Sequence, residues 1–180
     1  MSLLEIPGPD AAVGEIRDLY QGFLDSVGMI PPPLLMLGTS PGLQSIQAQV
    51  IRYYRERSNL SPLLMGLVRY LTAAALGMPS CVAFNAKVLQ AQGLSREQID
   101  GLMESPSAAP LDERDGWLLA LAVKAVRAPD TISESHIAKL RDLGWSDADI
   151  LDALYLASMM VGLGTVMRAL KFHGQDGDAH

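Results

Sequence analysis

Along most of this chain apolar residues return every three or four positions, the spacing of one helix face, and the strict alternation that makes half-buried strands is nearly absent. Ile16, Leu19, Tyr20, Phe23 and Leu24 share a face of a helix expected over 10–27, which Gly28 stops. Pro31, Pro32 and Pro33 then predict an extended crossing, because proline lacks the N–H that a helix interior needs. Ser40-Pro41 and Ser61-Pro62 each place a capping hydroxyl before a proline at the first helical position. The first opens a helix to about residue 57, with Leu43, Ile46, Val50 and Tyr54 at helical spacing. The second opens one through Leu76 that ends at Gly77, and Pro79 starts another that ends at Gly93. Ser95 and Gln98 form a capping box for a short helix bearing Ile99 and Leu102. After a loop rich in Ser, Ala and Pro at 105–110 come helices over about 111–128, 133–143 and 146–172. The pattern is that of one all-α domain over residues 1–172, followed by a polar tail, 173–180, expected to be disordered.

Composition narrows the function classes. A chain of 180 residues suits a single core, yet 49% of it is hydrophobic, which implies apolar surface set against another subunit. A homo-oligomer is therefore expected. The net charge of −6, with basic residues scattered, argues against nucleic acid, where phosphate neutralisation drives affinity. The uncharged stretch 70–86 is interrupted by Pro79 and Asn85, and the stretch 153–167 is too short to cross roughly 30 Å of hydrocarbon, so no membrane span is expected. Glu5 and Asp10 stand where a secretory signal would carry basic and then apolar residues. The one cysteine has no internal disulfide partner, which fits a reducing cytoplasm. With three scattered histidines there is no metal-ligand spacing, and no cofactor is expected.

Candidate chemistry centres on Pro79-Ser80-Cys81-Val82-Ala83-Phe84-Asn85. Cys81 falls in the first turn of a helix, where unpaired N–H groups and the helix dipole favour an anion, so its thiol is expected to ionise readily. Met78, Phe84 and Asn85 share its face, and Asn85 is placed to donate a hydrogen bond to a thiolate without handling a proton. The bland alternative, a small buried hydrophobe, is the commoner fate of a lone cysteine. Other features read as structural. His136 sits on a solvated helix face, and His173 and His180 lie at or in the tail. Asp112, Glu113 and Asp115, like Asp147, Asp149 and Asp152, open helices and complement the dipole. Gly162 and Gly164 suit close helix packing, and Met159, Met160 and Met167 lie on that same surface as core, interface or pocket lining. Arg52, Tyr53, Tyr54 and Arg55 form a basic-aromatic cluster that a helix C-terminus explains, with an anion site as the alternative.

Three runs, in this order and spacing, carry a resemblance: Leu60-Ser61-Pro62 through Arg69, Ala73-Ala74-Ala75-Leu76-Gly77 with Ser80 through Asn85, and Gly93-Leu94-Ser95 through Ile99. Gly28-Met29-Ile30-Pro31 with Ser40-Pro41 before them, and Leu140 through Ile150 after them, extend it over about residues 10–172. Together they resemble the carboxymuconolactone decarboxylase family, in its alkylhydroperoxidase-D-like, peroxidase-related branch. The resemblance implies a helical orthogonal bundle and assembly into dimers, trimers or hexamers. Peroxidase members of that family carry a Cys-x-x-Cys pair, a histidine four residues after the second Cys and a glutamate twelve before the first. The second Cys attacks peroxide, the first resolves it, and Glu and His relay protons. On this chain the attacking position is Cys81, the resolving one Met78, the histidine Asn85 and the glutamate Gly66. What the resemblance implies is thus a divergent member in which Cys81 is the nucleophile of a weak one-cysteine peroxidase or reductase, returned by an external thiol, with Asn85 supporting it. Gly66, Met78 and Phe84 would line a pocket, apolar and roomier than in relatives. The alternative is a non-catalytic module that binds a small ligand or a partner in the vacated site. A third, a lyase or isomerase on a small carboxylated substrate, lacks its acid–base pair.

Overall fold

The structure is a computed structural model that describes residues 2–174. Of the expected tail, 175–180 and with them His180 lie outside the described residues, and His173 is exposed. Every regular element among the described residues is helical. Besides four single 3-10 turns, the α-helices in chain order are α1 (Gly14–Val27), α2 (Pro32–Met36), α3 (Pro41–Glu56), α4 (Pro62–Ala75), α5 (Pro79–Ala91), α6 (Arg96–Glu104), α7 (Glu113–Arg127), α8 (Glu134–Asp142) and α9 (Asp147–Ala169).

Local chemistry fixes most of the boundaries. Ser61 Oγ accepts the Leu64 N–H at 3.1 Å and so caps α4. Ser95 and Gln98 close a reciprocal capping box on α6, and Ser146 with Asp149 does the same on α9. Gly28 ends α1 at φ +69°, a left-handed backbone that glycine adopts without strain. Two expectations need correction. Pro32 and Pro33 do not extend the chain; they form the first turn of α2, where their missing N–H groups are ones a helix start leaves unpaired anyway. Leu43 and Ile46 do not face the core but stand 55% and 58% exposed, while α3 buries Gln44, Ala48 and Tyr54. Polar satisfaction sets that face: Gln44 Nε2 donates to Tyr20 Oη at 2.6 Å and to the Leu34 carbonyl at 3.2 Å.

α4 occupies the centre and packs against α5, α7 and α9. Leu64, Leu67, Val68 and Leu71 of α4 meet Leu89, Ile99, Leu118, Ala122, Ala153 and Ala157 in the larger of two apolar cores. Each fully buried leucine contributes roughly 1.5–3 kcal/mol. The smaller core joins α1 and α2 to the rest through Tyr20, Ile30, Leu34, Met36, Met78, Cys81, Met160 and Phe172. The uncharged stretch 153–167 belongs to a 23-residue helix, α9, which by length and composition is able to cross a bilayer. Here it is a wall of the bundle, with Ala153, Leu156, Ala157, Met160, Gly164 and Met167 buried. Its other face is exposed and uncharged over several turns: Leu151, Tyr155, Ser158, Gly162, Thr165 and Val166.

Candidate functional site

Cys81 lies in the first turn of α5, as its sequence context requires. It is not, however, the ionisable thiol that position suggests. The side chain is 1% exposed, and burial pushes the thiol up to about 11 from its ordinary 9.0, offset only in part by the Ser80 hydroxyl. A helix dipole is worth at most ~2 kcal/mol to an anion. Taking a charge out of water between the apolar side chains of the smaller core costs more, so desolvation wins. Asn85 does not reach the sulfur as a donor either. Its Nδ2 donates to the Cys81 backbone carbonyl at 2.8 Å, one helical turn back. Its Oδ1 is buried and has no hydrogen-bond partner. An orphaned buried acceptor costs roughly 1–3 kcal/mol, so Asn85 is a residue the fold tolerates rather than needs.

Beside these residues a cavity of about 300 Å³ opens between α3, α4, α5 and α9, with Phe23 and Pro31, Pro32 and Pro33 closing one side. Cys81, Phe84, Asn85 and Val88 of α5 form one wall, and Leu156, Met159, Met160 and Leu163 of α9 another. Val50, Ile51 and Tyr54 of α3 and Met65 and Arg69 of α4 complete it. The lining is mostly hydrocarbon, and no carboxylate or imidazole belongs to it among the described residues. That leaves no acid–base pair for lyase chemistry at the expected place.

The structure separates the sequence candidates. Phe84 lines the cavity with Cys81 and Asn85; Gly66 and Met78 do not. The roomier pocket expected around those two is filled. A Cβ built on Gly66 would lie 2.9 Å from Leu89 Cδ2 and 3.0 Å from Gln92 Oε1, and Gln92 is held there by donating to the Pro62 carbonyl at 3.1 Å. Met78 is buried against Gly164, where its thioether occupies the space of a side chain. Gly164 is thus the close-packing glycine, whereas Gly162 has open space beside it. The basic-aromatic cluster offers no free anion site at its arginines, since Arg52 pairs with Glu15 and Arg55 with Glu56. His136 is a capping residue: the Ser133 N–H donates to its Nδ1 at 3.1 Å. Sequence reading missed Arg69 as a site residue. The signal was present, because it is the single charged side chain of an otherwise apolar α4.

No family model and no curated protein matches the chain. Solved structures do. A peroxidase-related protein from Silicibacter sp. TM1040 superposes with a TM-score of 0.76 at 24% identity, covering 97% of this chain and 95% of its own. A second peroxidase-related protein, an alkylhydroperoxidase AhpD core from Ralstonia eutropha JMP134, gives 0.78 at 19% identity over 97% and 93%. The chain has the alkylhydroperoxidase-D-like fold. The debrominase Bmp8, solved as a cysteine-to-alanine variant in complex with 2,3,4-tribromopyrrole, shares that fold with a TM-score of 0.77 at 14% identity over 98% and 95%. On this alkylhydroperoxidase-D-like frame, then, the expected all-α class and fold stand. What distinguishes the chain is the content of its site.

Proposed function

We propose that the protein binds a small, largely apolar molecule in the cavity between α3, α4, α5 and α9. The observation that carries this reading is the cavity itself, about 300 Å³ of mostly hydrocarbon wall in a core otherwise packed closely enough to fill the Gly66 and Gly164 notches. Ligand sites are concave and apolar with a few polar groups to set orientation, and Gln47, Arg55, Arg69, Asn85 and Gln92 are polar residues of this lining. Support also comes from the debrominase of the same fold, whose complex holds a small halogenated aromatic. Neutral aromatics of benzene to naphthalene size are expected to raise the melting temperature in a saturable way. A Val88→Trp substitution, which fills the wall from α5, is expected to abolish that rise. A panel in which no such compound moves the transition would overturn the reading.

A second reading rests on the presence of Cys81 in the same wall. In it the Cys81 thiolate attacks the O–O bond of a peroxide, taking one oxygen as a sulfenic acid and releasing water or an alcohol. One external thiol then condenses with the sulfenic acid to a mixed disulfide, and a second releases Cys81. The raised thiol makes this chemistry weak. At pH 7 a group titrating near 11 is about one part in 10⁴ thiolate.

Assembly follows from α9. Its exposed uncharged face has small residues, Ser158 and Gly162, at its centre, and such a face suits an identical one across a two-fold axis. A second copy of this chain is the occupant we propose, in keeping with the apolar surplus of the sequence. Light scattering at tens of micromolar should give an oligomer. Gly162→Arg, which meets nothing within the protomer, should give monomers of unchanged fold. A monomeric parent protein would refute this.

A further inference from the structure

Arg69 is the one charged residue of the cavity wall that no ion pair explains. Among the described residues it makes no salt bridge and no side-chain hydrogen bond. Arg55, which also lines the cavity, pairs with Glu56, and Arg52, one turn away on α3, pairs with Glu15. Buried or half-buried cations are ordinarily matched by a carboxylate, because an unpaired charge away from water is costly. Here the lining supplies none. The phenol of Tyr54, which also lines the cavity, is no substitute: its Oη donates to the Asp152 carbonyl at 2.9 Å and it stays neutral at physiological pH. A snorkelling arginine would hide its stem and keep its head in water. Arg69 is only half-buried as a residue, but the burial of its guanidinium pushes that group down to about 10.

We infer that the cavity selects organic anions: a molecule with an apolar ring or chain seated among Phe84, Met159 and Met160, and a carboxylate paired with the guanidinium of Arg69. This rests on the cavity being a ligand site and names the class of ligand it takes. The guanidinium offers a planar fork of donors that matches a carboxylate edge to edge, and partial burial strengthens the pair. The ligand supplies the counter-charge that the fold omits. A neutral molecule of the same shape would fill the hydrocarbon wall and leave the cation unmatched.

The test uses two probes of one shape, 2-naphthoate and 2-naphthamide, titrated calorimetrically at pH 7.5 into the parent protein and into Arg69→Met. The parent protein should bind naphthoate about tenfold or more tightly than naphthamide, the range of a charge-assisted pair over a neutral one. Arg69→Met should erase that preference while naphthamide affinity stays within about threefold. Without ligand, Arg69→Met should melt no lower than the parent, since it removes an unmatched charge and keeps an apolar stem. Equal affinities in the parent protein, a preference that survives Arg69→Met, or a large fall in its melting temperature would each overturn the inference while leaving the cavity reading intact. Failure of both probes to bind would overturn the two together.

Discussion

Iodoacetamide should modify Cys81 in the native protein about 100-fold more slowly at pH 7.5 than in the urea-unfolded chain, with a rate that climbs roughly tenfold per pH unit towards pH 11. The factor is the ratio of thiolate present when burial moves the thiol from 9.0 to about 11. Intact-mass spectrometry over time reads it directly, with Cys81→Ser as the blank. The same shift has a stability consequence of definite sign. Below pH 9 the folded and unfolded thiols are both protonated and the effect is fully present as stability. Between about 9 and 11 the unfolded thiol loses its proton while the folded one keeps it, so stability falls as pH rises, by on the order of 2–3 kcal/mol. An alkylation rate equal to or above that of the unfolded thiol would show a presented, reactive sulfur. The one-cysteine peroxidase would then become the leading reading.

Restoring the glutamate that the resemblance places at position 66 should damage the fold rather than create activity. Gly66 is buried in α4, and a Cβ there already crowds Leu89 Cδ2 at 2.9 Å and Gln92 Oε1 at 3.0 Å. Gln92 can swing away, but Leu89 is fully buried and must shift against its own neighbours. Overpacking of this kind costs about 1–3 kcal/mol, and an unpaired carboxylate among leucines adds to it. Gly66→Glu should therefore lose about 2–4 kcal/mol, or roughly 5–15 °C in melting temperature for a chain of this size. Gly66→Ala, which brings the same Cβ without the charge, should lose less. Wild-type stability in Gly66→Glu, together with peroxide consumption, would mean the notch is open after all.

Much of the architecture was legible because helix starts are local chemistry. Ser61, Ser95 and Ser146 cap their helices within a few residues, whereas Ser40, read by the same rule, precedes α3 without a side-chain cap hydrogen bond. The triple proline was misread because the rule against proline applies to helix interiors, and α2 is scarcely more than a first turn. The exposed face of α3 was misread for another reason. Periodicity identifies an apolar stripe, but the buried hydrogen bonds from Gln44 to Tyr20 and Leu34 decide which side turns inward. At the site, the position of Cys81 in a first turn was legible and its ionisation was not, since the dipole belongs to α5 alone while burial comes from residues as distant as Met160. Arg69 was legible as a lone charge in α4; that it lacks a partner among the described residues is a statement about every helix around it.

The division of the interior into two cores bears on how the molecule responds to a guest. The cavity lies where they meet: Met65 and Leu156 belong to the larger, Leu34, Cys81 and Met160 to the smaller, and all face the same space. A seated molecule would touch both at once and fasten the N-terminal layer of α1 and α2 to the central bundle. Occupancy and cooperativity are then one property. With the cavity empty, amides of that layer should exchange before the central bundle melts; with it filled, they should exchange only when the guest departs or the whole bundle melts.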